Sequence, residues 1–368
     1  MSCQDSAKKE GAEDLDRSQK KVVIAYLAGW SDIKAEKIPT DQLTHINYAF
    51  GTVIDGKVTE NIGQEKRDSI NYAELHKAKV NSDGRLKLIG SIGGWFGCKG
   101  FHDAVKTSDG LALFTKTSVE YIQRYDLDGI DYDWEYPALP GADNPYGPED
   151  KDNFILMLKS VRDTLDKMEA MTGRHYITSI ASGGFDEFIS VNDMGKAAEY
   201  LDFVNIMTYD FHSGLDSVSG HHTNLYSTYP DELSADRSVK MHIKAGVPVQ
   251  KLVMGIAFYG RSWKGVQLNN KGLYQQARTG GQGFRNKRLD SLSTLKNSGF
   301  EMFWDSIASA PYLFHQKDSV FVSYEDERSI QAKCDYVNQE KMLGVMFWEL
   351  SEDTENYKLL DVITENLE

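Results

Sequence analysis

The amino-acid sequence predicts an α/β fold: a (β/α)8 barrel with a small α+β domain inserted between its seventh and eighth strands. Three observations carry that expectation. Eight short β-rich apolar runs recur along the chain, amphipathic or polar stretches separate them, and the gap from Trp263 to Met342 is far longer than a βα loop requires. Strands alternating with helices call for a parallel sheet, and eight such units call for closure.

The runs are Val22–Trp30, Leu43–Gly51, Leu86–Trp95, Leu127–Tyr136, His175–Gly183, Leu201–Tyr209, Leu252–Ser262 and Met342–Leu350. Several are apolar at most positions, as parallel strands covered on both faces should be. Helices are expected at Leu111–Tyr125 and Asp150–Met168, where Phe154, Leu158 and Val161 fall at helical spacing. The first crossover, around Ala35–Gln42, is short for a full helix. The last gap holds a turn-rich stretch, Thr279–Gly283, and then Phe300–Trp304, Tyr312–His315 and Val320–Tyr324, which read as strands. A structureless loop of that length is implausible in a compact domain, which is why an insertion is inferred. The expected organisation is a polar tail over 1–20, the barrel over 21–263 and 326–368, and the insertion over 264–325.

With 41 basic and 55 acidic residues the formal charge is −14, and the pI near 5.2 argues against nucleic acid or an anionic membrane surface as partner. No run approaches the roughly 18 apolar residues of a membrane helix. Three cysteines, Cys3, Cys98 and Cys334, are too few and too scattered for a disulfide framework or a zinc site. Cys98 and Cys334 are expected to be buried or half-buried; Cys3 opens a tail too charged to pack, running to about Lys20. A Ser2-Cys3 start on a polar tether resembles the mature start of a bacterial lipoprotein. That implies a secreted or cell-envelope location with a lipid on Cys3.

The strongest chemical signal is Asp128-Gly129-Ile130-Asp131-Tyr132-Asp133-Trp134-Glu135-Tyr136-Pro137. Alternate residues of a strand share a face, so Asp131, Asp133 and Glu135 point the same way, inward in a closed barrel. Asp128 has the wrong parity, lies at the strand's entrance and reads as structural. Carboxylates ~7 Å apart along a strand cannot all ionise without cost, so their titrations should couple and at least one should rise. A raised carboxyl is how a protein keeps a general acid protonated near neutral pH. The same carboxylates could instead hold a divalent cation, although such sites usually draw ligands from several strands.

The parity argument extends to the aromatics, of which there are 19 Tyr, 16 Phe and 6 Trp. Tyr26 shares a face with Trp30, Met346 with Trp348, and Tyr259 with Arg261. Trp348 and Trp95 fall at carboxyl ends of strands, where barrel sites are built. An indole offers a flat apolar face to a ligand, making Trp348 the candidate floor of a binding site and Trp95 an adjacent contact; Trp30 and Phe50 are weaker candidates. His45 reads as a core histidine. His212, His221 and His222 fall after the sixth strand without ligand spacing, and no metal is expected there.

At this point the residues resemble a known family. Asp128–Glu135 fits the signature Asp-Gly-x-Asp-x-Asp-x-Glu of glycoside hydrolase family 18, the retaining chitinases. Ser91-Ile92-Gly93-Gly94-Trp95 is similar to that family's third-strand motif, Met207-Thr208-Tyr209-Asp210 to its sixth, Tyr259-Gly260-Arg261-Ser262-Trp263 to the end of its seventh, and Met346-Phe347-Trp348 to its eighth. The long insertion resembles the α+β domain of the family's deep-cleft branch.

The resemblance implies that Glu135 is the general acid and that the substrate's own 2-acetamido group, not a second carboxylate, is the nucleophile. It implies that Asp133 binds the acetamide N–H, that Asp131 shares a proton with Asp133, that Tyr209 donates to the acetamide oxygen, and that Met207 and Asp210 contact the sugar. It implies a monomeric enzyme acting on β-1,4-linked N-acetylglucosamine in chitin or chito-oligosaccharides, with no cofactor. It also implies non-proline cis peptides at Ala49–Phe50, Glu135–Tyr136 and Trp348–Glu349. Two rivals share the motif: an endo-β-N-acetylglucosaminidase acting on N-glycan cores, and a lectin that binds without hydrolysis. Retention of Glu135 with both aspartates weighs against the lectin.

Overall fold

The computed structural model describes residues 21–31, 33–142, 144–213, 216–285 and 299–368. The tail and Cys3 therefore lie outside the described residues. In chain order the strands are β1 (Val22–Ala28), β2 (His45–Ile54), β3 (Lys57–Thr59), β4 (Lys87–Gly93), β5 (Gly129–Asp133), β6 (Ile177–Gly183), β7 (Phe203–Met207), β8 (Leu252–Ala257), β9 (Tyr259–Lys264), β10 (Thr279–Arg285), β11 (Glu301–Asp305), β12 (Ala310–His315), β13 (Val320–Ser323) and β14 (Gly344–Trp348). Eight of them pair in parallel in the order β1-β14-β8-β7-β6-β5-β4-β2, and β2 pairs back with β1, closing a TIM barrel.

Alternation along β5 divides two cores. Ile130, Tyr132 and Trp134 face outward and pack with Phe101, Phe114 and Phe154 from the helical layer, with the Trp134 and Phe101 rings stacked at 5.2 Å. The smaller interior cluster contains Ile24, Tyr26, Ala49, Ile89, Phe203, Val253 and Met346. Burying a large apolar side chain contributes ~1.5–3 kcal/mol, so the outer layer supplies most of the cohesion and the interior is left room for polar groups.

The helices begin and end where local chemistry dictates. Ser108–Arg124 starts behind Thr107, whose side chain accepts the Gly110 N–H. Asp150–Thr172 stops at Gly173, whose φ of 68° supplies the left-handed C-cap. Between β1 and β2 the described residues form a 3-10 turn, Ala35–Lys37, in keeping with the short first crossover.

Two elements depart from the sequence reading. The run Leu252–Ser262 is not one strand: the barrel strand ends at Ala257, and Tyr259–Lys264 pairs antiparallel with β10 and β13. The short strand β3 forms a hairpin with β2 around Asp55 and Gly56, both at positive φ. The second sheet runs β10-β9-β13-β12-β11 and closes over Trp263, Tyr312, Phe314 and Phe321. Among the described residues its inserted segments are strands and one 3-10 turn; 286–298, inside the span expected to be α+β, lies outside the described residues.

Candidate active site

The three carboxylates sit on β5 and the turn that follows, inside the barrel at its carboxyl end. Asp131 is fully buried and accepts four hydrogen bonds: from Ser91 and Ser179 at 2.7 Å, Tyr26 at 2.9 Å and Asn205 at 3.3 Å. The serines are its register neighbours on β4 and β6. Burial raises its carboxyl, and the four donors oppose that rise. Asp133 is also buried but has an oxygen, Oδ1, with no partner among the described residues. Burial first, then the neighbouring Glu135 and Asp131, push it well above the ordinary range. Burial lifts Glu135 to about 7, with the Asp210 charge adding to the rise and Tyr136 opposing it. A carboxyl protonated near neutral pH thus stands beside a second one with an unfilled acceptor.

The backbone around these groups is closely held. Gly93 has φ of 116°, and a Cβ there would stand 2.2 Å from the Asp133 carbonyl oxygen, while Gly94 N–H donates to that same oxygen at 2.8 Å. Gly93 therefore lets β4 approach the acidic strand, while Gly94, at φ 78°, leaves room for the Phe50 ring. The Cys98 thiol contacts the carbonyls of Gly94 and Asp133 at 3.1 and 3.0 Å and accepts the Glu135 N–H at 3.1 Å. Asn144 donates to the Glu135 carbonyl at 3.0 Å. Ala49–Phe50, Glu135–Tyr136 and Trp348–Glu349 are cis, as expected.

A cavity of about 330 Å³ opens on Glu135, Tyr136, Met207, Tyr209 and Asp210, with Phe185, Phe211 and Leu233 on its far wall. Asp210, at φ 59°, is gripped by Arg261, whose Nε and Nη2 donate to its two oxygens at 2.7 and 2.6 Å. Burial alone would raise that carboxyl, yet the His222 ring and the Arg261 guanidinium hold it well below the usual range. The guanidinium also lies over the Tyr259 ring, 5.1 Å from its centroid. Trp348 is half-buried, stacked on Phe50 at 5.4 Å and 13°, with Trp30 beyond it at 6.2 Å. Trp30 is 60% exposed and Trp95 41%, the latter meeting Tyr136 edge-on.

Two candidates are deeply buried. Tyr26 is 2% exposed with its hydroxyl on Asp131, and Met346 is fully buried with its sulfur 3.9 Å from the Tyr209 hydroxyl. Both lie in the interior cluster with Tyr209 and Trp348, on the inward face that parity predicts. Of the histidines, His45 is a core residue that burial lowers to about 4. His222 stands against Asp210, a position that nothing in the local sequence marks. Among the described residues no group of three or more His, Cys, Asp or Glu side chains is arranged to hold a metal ion. Also among them, no helix is long and apolar enough to cross a membrane.

The sequence model of glycosyl hydrolases family 18 matches residues 22–353. The chain is 30% identical to chitinase A1 of Niallia circulans over 90% of its own length and 56% of that protein's, so it spans little more than half of that relative. It is 29% identical to chitinase B of Serratia marcescens over 87% of its own length and 75% of that protein's. A glycoside hydrolase family 18 N-acetylglucosaminidase from Paenibacillus barengoltzii superposes with a TM-score of 0.87 at 38% identity, over 95% of this chain and 100% of that one.

Proposed function

The chain belongs to glycosyl hydrolase family 18, and from that premise we propose that it hydrolyses β-1,4-linked N-acetylglucosamine in chitin or chito-oligosaccharides with retention of configuration. The observation that carries the reading is the pairing of Glu135, raised to about 7, with the unpartnered Asp133 oxygen. A buried acceptor without a donor is costly, and a substrate amide N–H is the donor it lacks.

The reaction follows from those two groups. Glu135 gives its proton to the glycosidic oxygen as the bond to the anomeric carbon breaks. The acetamido carbonyl oxygen of the same sugar forms the new bond to that carbon, giving an oxazolinium ion. Asp133 accepts the acetamido N–H and balances the developing positive charge, and the Tyr209 hydroxyl donates to the acetamido oxygen. Glu135, now a carboxylate, takes a proton from the water that opens the ring from the face the leaving group vacated. Asp131, held by its four donors, tunes Asp133 electrostatically. Trp348 offers the sugar an apolar floor.

The test is hydrolysis of fluorogenic chitobiose and chitotriose glycosides set against a high-mannose glycoprotein. Cleavage of the first two with a β-configured product is expected. Exclusive cleavage of the glycoprotein would replace this reading with an N-glycan-directed one. The N-acetylglucosaminidase relative favours one refinement, removal of single sugars from a chain end, which the same digests read as monomer accumulating ahead of shorter oligomers.

A further inference from the structure

His222 is fully buried, and neither ring nitrogen has a hydrogen-bond partner among the described residues. A neutral imidazole carries one donor and one acceptor, so leaving both unmade in a buried site costs free energy that an apolar side chain would not. The residue is pinned in place: its N–H donates to Ser323 Oγ at 2.9 Å, and its carbonyl accepts from Phe211 N–H at 3.1 Å. The following residue, Thr223, is tied to Glu325 at 2.7 Å.

Four ionisable groups face the ring. They are Asp210 beyond the end of β7, Tyr259 and Arg261 on β9, and Glu325 ahead of the helix Glu327–Gln339. Nδ1 lies 3.6 Å from Asp210 Oδ1, beyond hydrogen-bonding distance, and a shift of about half an ångström would close the gap. Arg261 already supplies both carboxylate oxygens with one donor each, which leaves a second lone pair on Oδ1 toward the imidazole. Burial keeps the ring below its ordinary range, with Asp210 pulling the other way. A neutral ring still offers an N–H.

We propose that His222 is a positioning residue that steadies the Asp210 carboxylate against a bound sugar by donating Nδ1–H to Oδ1. This rests on the function proposed above and assigns the side chain a part in substrate binding. When a sugar hydroxyl competes for Asp210, Arg261 alone can hold the carboxylate only by its outer edge. The imidazole, fixed through β13, closes the other side. Without it Asp210 would be looser and would take up a proton at higher pH.

The test compares His222→Phe, which keeps a ring against Tyr259 but has no donor, with His222→Gln, which keeps a donor but does not titrate. For His222→Phe, KM on chitotriose glycosides should rise about ten-fold or more, as losing a hydrogen bond to a charged group implies. Its kcat should change less, and the acid limb of kcat/KM should move to higher pH. His222→Gln should recover most of the KM and the acid limb. A merely structural histidine would lower the melting temperature of both variants without moving either readout. KM within two-fold of wild type for His222→Phe, or equal impairment of the two variants, would overturn the proposal. If His222→Phe does not fold, ¹⁵N spectra of labelled histidine in Glu135→Gln protein with chitotriose decide the matter: a protonated, hydrogen-bonded Nδ1 supports the proposal, and a bare Nδ1 overturns it. A wild type inactive on every N-acetylglucosamine glycoside overturns the function proposed above and this inference together. An active wild type with an unaffected His222→Phe overturns this inference alone.

Discussion

Four carboxylates lie along one short stretch, and the two ends of β5 treat them in opposite ways. At the entry Asp128 is buried yet served by Lys79 at 2.7 Å, Arg174 at 2.9 Å and the Leu88 N–H at 2.8 Å. Burial would raise it, but these partners outweigh that and hold it below its usual value. At the mouth Asp133 and Glu135 are also buried, pair with no cation among the described residues, and both rise. The same residue type becomes a fixed anion at one end and a proton store at the other. What differs is the company each keeps, so sequence parity alone could separate the two groups but not quantify them.

The largest test of this contrast is Glu135→Gln. The amide is nearly isosteric, so fold and sugar binding should survive. Loss of the proton should lower kcat by at least ~10²–10⁴-fold, the range that general-acid assistance supplies. Asp133→Asn should also lower kcat, by weakening the charge opposite the oxazolinium while leaving the acid in place. A dinitrophenyl glycoside separates the two, because that leaving group needs little protonation. Rescue of Glu135→Gln should be large and rescue of Asp133→Asn small. Equal rescue would mean that the two roles are interchanged.

Asp128→Asn probes the other end. Removing the carboxylate leaves Lys79 and Arg174 without their buried partner, at a cost of about 1–3 kcal/mol. A melting temperature lower by a few degrees is expected, with kcat per folded molecule within two-fold of wild type. A catalytic defect at unchanged stability would erase the distinction between the ends.

How much of this was legible beforehand depends on how local each signal is. The eight barrel strands could be read because each is a short β-rich run set off by polar or amphipathic sequence, and several are apolar at most positions. The inward set on β5 could be read because Ile130, Tyr132 and Trp134 alternate with the acids. Parity put Tyr26 and Trp30 on one face, but β1 ends at Ala28 and Trp30 lies in the turn beyond it. Tyr26 is therefore buried and Trp30 is 60% exposed, and composition carries no depth signal. The break at Phe258 was hidden because apolar and aromatic residues continue across it from one sheet to the other. The β3 hairpin was missed although Asp55-Gly56 is an ordinary turn signal. Cys98, Asn144 and His222 meet the site through contacts between segments distant in sequence, with nothing nearby to mark them. The roles assigned to Tyr209 and Asp210 rest on motif resemblance, and the Arg261 grip on Asp210 was not legible in the sequence.

The smallest effect expected is also the most direct comparison of the two ends, because pH should move their stability contributions in opposite directions. Glu135 has its folded value raised from 4.5 to about 7, so the native state holds a proton there that the unfolded chain releases. Its contribution is complete below about 4.5 and is lost as pH rises through 7. Asp128 has its folded value lowered from 3.8, so its contribution is present above that value and is lost as pH falls through the folded one. Glu135→Gln removes the first dependence. The variant's melting temperature relative to wild type should therefore climb between pH 5 and pH 8, by a few degrees at most, since the rises of Asp131 and Asp133 leave part of the alkaline slope in place. Asp128→Asn should show the mirror image, its deficit constant from pH 5 to 8 and shrinking only in acid. If the Glu135→Gln difference stays flat across that range, Glu135 is ionised in the folded protein at neutral pH, and the two ends of the strand are electrostatically alike.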